Sequence, residues 1–92
     1  MAWKIEPDGK RTELLPNERR FTINEIKTAI GGGFVASFPI TGKTTKDWPY
    51  TIALFDEDGS PKQMDINESA SQIAGFMLLG TVVFCSKKEM FN

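Results

Sequence analysis

The sequence predicts an α+β domain: one mostly antiparallel sheet with two short helices on one face, in the order β-β-α-β-β-α-β. Three observations carry this expectation. Two segments begin with a capping side chain and end at glycine, the marks of short helices. Five segments are short and either alternate apolar with polar residues or run apolar throughout, as strands do. Pro-Asp-Gly and Asp-Gly turns between strands favour hairpins, hence antiparallel pairing. A chain of 92 residues is enough for one domain, 1–92.

Residues 2–6 (Ala-Trp-Lys-Ile-Glu) alternate as a half-buried strand. Pro7-Asp8-Gly9 turns the chain, and 11–15 return as a second strand. A polar connection covers 16–20. Thr22 and Glu25 then form a T-x-x-E capping box, with Phe21 and Ile26 placed as a hydrophobic staple. Ile23, Ile26 and Ile30 share one face, Ala29 lies beside them and Gly31 stops the chain, so a helix spans 23–30.

Phe34, Ala36, Phe38 and Ile40 alternate along a strand over 33–40, and Pro39 places its far end at a sheet edge. Residues 41–49 form a polar loop. Residues 50–55 are a strand rich in β-formers, and 56–61 carry an Asp-Gly turn that favours a hairpin. Asn67 caps a second helix over 68–74, ended by Gly75. The apolar run after Gly75 reads as a fully buried strand, with Gly80 allowing a bend.

Composition narrows the function. Eleven basic and twelve acidic residues give a net charge of −1, which lacks the basic excess of nucleic-acid binders and the acidic excess of DNA mimics. No histidine is present, so Ser-His and Cys-His catalysis are excluded. The single cysteine, Cys85, rules out an intramolecular disulfide and reads as a small buried hydrophobe within Val82-Val83-Phe84-Cys85. No apolar run is long enough to span a membrane, and no basic region precedes an apolar stretch at the N-terminus. The expected location is therefore the cytoplasm.

Several motifs resemble ligand-binding patterns but fit structural roles better. Gly42-Lys43-Thr44 matches the end of a phosphate-binding loop, but Ser37 stands where the first glycine belongs. Gly31-Gly32-Gly33 could cradle a phosphate, yet it follows a helix, whose C-terminus repels anions; a helix stop with a close turn fits better. Asp56, Asp58 and Ser60 match the first spacings of a calcium loop, but Gly59 is misplaced and Asn67 replaces the closing glutamate. Asp56, Glu57 and Asp58 read as an exposed turn without the burial that tunes an acid catalyst. The sequence thus points to no catalytic residue, metal or cofactor.

Trp3, Trp48 and Tyr50 are the strongest binding candidates. Trp48 lies in a polar loop with Lys43 and Lys46 nearby, a combination suited to a planar anion through stacking and charge. The same residues suit a protein hot spot, and Trp48 could equally cover the sheet edge.

The stretch Ile26 to Ile40, the segment Ala53-Leu54-Phe55-Asp56-Glu57-Asp58-Gly59, the Asn67-Glu68-Ser69-Ala70-Ser71 cap and Gly80-Thr81-Val82-Val83 carry a resemblance. So does the first strand leading into Pro7-Asp8-Gly9. Together they resemble a family of small uncharacterised proteins, a domain of unknown function, from bacteriophages and mobile elements. The resemblance implies an accessory protein working in a bacterial host cytoplasm, and it transfers no catalytic residue. This chain departs from the family pattern at 41–49, where the family has a tighter loop. The expectation is a non-catalytic counter-defence protein that sequesters a small anionic nucleotide, a cyclic nucleotide or an ADP-ribose derivative, between subunits of a homo-oligomer. Trp48 or Tyr50 would stack on the base, Lys43 and Lys46 would meet phosphates, and Thr41, Thr44 and Thr45 would supply hydroxyls. The alternative is an inhibitor or adaptor that blocks a host defence enzyme.

Overall fold

The computed structural model describes residues 2–40 and 50–90. Local side-chain chemistry sets the helix ends. The Glu25 N–H donates to Thr22 Oγ1 (3.1 Å) and the Thr22 N–H donates to Glu25 Oε1 (2.8 Å), closing the capping box of α1 (Ile23–Ile30). Phe21 and Ile26 pack in one apolar cluster, as a staple requires. Gly31 ends α1 in the left-handed conformation, φ 94°, and the Gly32 N–H reaches back to the Lys27 carbonyl. Asn67 caps α2 (Glu68–Ala74) by accepting the Ala70 N–H at 3.0 Å.

Five strands form one sheet: β1 (Ala2–Ile5), β2 (Arg11–Leu14), β3 (Val35–Pro39), β4 (Ile52–Asp56) and β5 (Val82–Cys85). Their order across the sheet is β2-β1-β5-β4-β3, with antiparallel neighbours throughout. A one-turn 3-10 helix over Lys87–Glu89 follows β5. The class, the single antiparallel sheet and the two α-helices agree with the sequence.

The placement of the helices does not. They lie on opposite faces instead of one. Val82 and Phe84 share a cluster with Ile5, Ala53, Ala70 and Ala74, so α2 covers that face. Val83 and Cys85 share the other cluster with Ala2, Leu54, Ile26 and Ile30, so α1 covers the reverse. Successive strand residues point to opposite faces. All four residues of β5 are buried, and such a strand needs cover on both sides. The connections supply it: α1 carries the chain from edge strand β2 to edge strand β3, whereas α2 links β4 to its neighbour β5.

Three further expectations change. Residues 56–61 turn the chain without making a hairpin; turns continue to Gln63 before α2 begins. The apolar run after Gly75 becomes a strand only at Val82, with an isolated Ile66–Leu79 bridge before it and Gly80 bending the chain at φ 74°. Ile23 is exposed, so α1 buries Ile26 and Ile30 alone from the isoleucine face.

Buried Asn67 fastens the two ends of this topology. Its Nδ2 donates to the Ile5 carbonyl (2.8 Å) and to the Gly80 carbonyl (2.9 Å), while its Oδ1 caps α2. One side chain therefore joins the end of β1, the approach to β5 and the start of α2.

Candidate binding surface

The sequence-derived ligand residues divide sharply. Thr41, Lys43, Thr44, Thr45, Lys46 and Trp48 lie outside the described residues. Tyr50 is described and is 6% exposed, packed with Ile5, Ala53 and Phe84 in the α2-side core. That position gives its ring a packing role. Trp3 is half-buried against the same cluster. The ends of the 41–49 segment are pinned together, because the Ile40 N–H donates to the Thr51 carbonyl at 2.7 Å.

The glycine triplet has other uses than a phosphate cradle. The Gly31 and Gly32 N–H groups donate to Thr28 and Lys27 carbonyls. A Cβ at Gly33 would stand 2.6 Å from Asp56 Oδ2, so this glycine, at φ 87°, lets the backbone pass against a carboxylate.

Asp56 corrects the reading of 56–58 as an exposed turn. Its side chain is 2% exposed, with Oδ2 accepting Lys62 Nζ at 2.7 Å and Oδ1 accepting the Asp58 N–H at 2.8 Å. The Lys62 hydrogen bond outweighs burial and holds the carboxyl below its ordinary value. Asp56 is thus a paired, ionised group at neutral pH. Burial, helped by the Glu89 carboxylate, pushes the Cys85 thiol up to about 12. It stays protonated and packed, as the apolar run predicts. Glu25 is held low by the Thr22 N–H of the capping box. Among the described residues no group of three metal-ligating side chains converges.

Leu15, Ile23 and Ile66 are exposed singly elsewhere, whereas Phe34, Phe38 and Met77 are exposed on and beside β3. Hydrogen bonds from Ile40 N–H to the Thr51 carbonyl and from Glu57 N–H to the Phe34 carbonyl fix the pairing parity. Even-numbered β3 residues turn their backbone groups toward β4. Val35 and Ser37 therefore aim theirs outward, as does the Pro39 carbonyl. Proline occupies a position whose N–H would otherwise point away from the sheet. None of β3's own residues is charged, in contrast to β2 at the opposite edge, which carries Arg11 and Glu13.

Beside that edge runs an aromatic ledge on the α2 face. Phe38 is 51% exposed and its ring lies 5.1 Å from that of half-buried Phe76. Met77, 67% exposed, stands over a shallow depression shared with Phe55, Leu78 and Leu79. The alternation of Phe34, Ala36, Phe38 and Ile40 predicts an apolar face, and only the fold reveals that α2 stops short of it. No helix among the described residues is long and apolar enough to cross a membrane.

No family model, no curated protein and no solved structure matches this chain.

Proposed function

We propose that this protein is a non-catalytic binding domain that engages a protein partner through the β3 edge and its aromatic ledge. In the mobile-element setting that the sequence resemblance implies, the partner is a host defence enzyme in the bacterial cytoplasm. The observation that carries this reading is an uncharged, outward-facing strand flanked by Phe38, Phe76 and Met77. An incoming strand gains backbone hydrogen bonds from Val35 and Ser37 and apolar contact from the ledge. The state of the reactive groups supports a non-catalytic role: Asp56 is neutralised by Lys62, and Cys85 is a buried thiol.

Phe38→Lys tests it. The side chain is half exposed, so folding is expected to change by less than about 1 kcal/mol. Co-purification of a stoichiometric partner from bacterial lysate should be lost in the variant and kept in the wild type. Equal recovery by both proteins would move the interface elsewhere.

A second reading is favoured by the composition and anchorage of 41–49. This segment contains Trp48, Lys43, Lys46 and three threonines, and its described flanking residues Ile40 and Thr51 are hydrogen-bonded to each other next to β3. Pairing of two copies at β3 would set such segments at a subunit boundary, the place expected for a nucleotide-sequestering pocket. Native mass spectrometry with cyclic nucleotides and ADP-ribose derivatives should then show an oligomer holding one ligand stoichiometrically. Trp48→Ala combined with Lys43→Ala should remove that bound mass. A monomer indifferent to all of them would leave the protein-partner reading alone.

A further inference from the structure

The β3 edge is complementary to itself. Its outward backbone groups belong to Val35 and Ser37, with the Pro39 carbonyl beyond them. Two copies laid antiparallel about a two-fold axis at Ala36 set Val35 opposite Ser37 of the partner subunit, and Ser37 opposite Val35 of the partner subunit. Such outward pairs exchange both of their hydrogen bonds, so every outward N–H and C=O of the two residues finds a partner.

The proline selects this register. An axis at Ser37 would put Pro39 opposite Val35, and an axis at Phe38 would put it opposite Ser37. Either leaves a strand carbonyl facing a nitrogen that has no hydrogen. An axis at Val35 would set Ser37 against Gly33, whose φ of 87° departs from extended backbone. With the axis at Ala36, Pro39 falls opposite Gly33, outside the strand.

The side chains agree with the same axis. Ala36 meets only its own copy there, and a methyl group fits a pair whose Cα atoms stand about 4.5 Å apart. Phe38 comes opposite Phe34 of the partner subunit. A two-fold axis brings like charge to like charge, and residues 34–40 contain none. The sheet faces continue across the joint, so the Phe38–Phe76 ledges of both copies lie on one face.

We propose that the β3 edge, when no other partner holds it, binds a second copy of this chain antiparallel about Ala36, joining two five-stranded sheets. This pairing rests on the reading of β3 as an interface and names its resting occupant. Phe34, 67% exposed, and Phe38 together offer on the order of 200 Å² of ring surface per copy. With a short strand beside them, that falls below the roughly 1,200 Å² of a standard stable interface. The dimer is therefore weak and reversible, and a partner that takes up the same backbone groups displaces it.

Cross-linking reads the register. Ala36→Cys places two thiols within disulfide reach on the axis, whereas Ser37→Cys holds them about 8 Å apart, out of reach. Chance collision would favour the second variant, because Ser37 is exposed and Ala36 only half-buried. Under mild oxidation of the full chain, Ala36→Cys should become a covalent dimer while Ser37→Cys stays monomeric over the same period. Native Cys85 is buried and does not compete. In sedimentation, Ala36→Lys and Ala36→Glu should each be monomeric, and their equimolar mixture should dimerise. Faster cross-linking of Ser37→Cys, or a mixture no more associated than its parts, would overturn the pairing. Lysate capture with Phe38→Lys reads the protein-partner interface separately. A partner captured by a wild type whose variants fail both tests would remove self-pairing and keep that interface.

Discussion

Replacing Asn67 with alanine is expected to lower stability by about 3 kcal/mol, a large share of the roughly 5–15 kcal/mol that holds a domain together. The variant loses the cap on the Ala70 N–H, worth about 1 kcal/mol. It also strips the amide donor from the Ile5 and Gly80 carbonyls at a completely buried position. Leaving such groups without a partner costs about 1–3 kcal/mol. In urea the unfolding midpoint should fall by roughly 2 M. Two companion variants divide the effect. Asn67→Ser retains a capping oxygen and should recover only about 1 kcal/mol. Asn67→Asp keeps the cap but turns an acceptor toward two carbonyls, so it should be no more stable than the alanine variant at pH 7. A loss under about 1 kcal/mol for Asn67→Ala would reduce this residue to an ordinary helix cap.

Lys62→Met should cost about 2 kcal/mol at pH 7. The carboxylate of Asp56 is buried, and removal of Lys62 leaves it with the Asp58 N–H alone. Breaking a fully buried pair costs about 3–5 kcal/mol, but Lys62 itself is 45% exposed and water takes up part of the loss. The pH dependence separates this pair from simple packing. Asp56 is held below its ordinary value of 3.8, first by the Lys62 hydrogen bond. A depressed folded value means that the unfolded chain binds the proton first. The stabilisation is therefore complete above the ordinary carboxylate range and disappears as pH falls through the lower folded value. Wild-type urea midpoints should drop through this range, whereas Lys62→Met should start lower at pH 7 and drop less. Parallel profiles for the two proteins would show that the pair contributes nothing specific. Gly33 belongs to the same unit, since any Cβ there would displace the Asp56 carboxylate.

The candidate surfaces were legible only in fragments. The alternating aromatics of 34–40 and Pro39 mark an apolar edge strand, yet an apolar row looks the same whether a helix covers it or not. Phe38 became a surface residue because α2 rises between β4 and β5 and does not reach the edge. The half-burial of Lys4 is legible in part. Its neighbours Ala2 and Ile5 are core residues on opposite faces, a hint that both sides of β1 are covered and that a lysine between them lies on a buried side. Asp56 and Lys62 are six positions apart in a turn-rich segment, and their pairing depended on Gly33, brought beside them by the β3–β4 register.

The sequence by itself determined the helix termini, the positions of the principal turns and the burial of Cys85. Each follows from chemistry within a few residues: a hydroxyl or amide oxygen three positions before an N–H, a glycine free to turn left-handed, an unbroken apolar strand. The tertiary structure alone decided which face each helix took and which apolar rows stayed open. It also decided which charged groups found partners. Those outcomes depend on strand order and register, which join residues such as Asn67 and Ile5 across the length of the chain. Strand β5, central and buried on both faces, requires cover on each, and one helix on either side of the sheet satisfies that requirement.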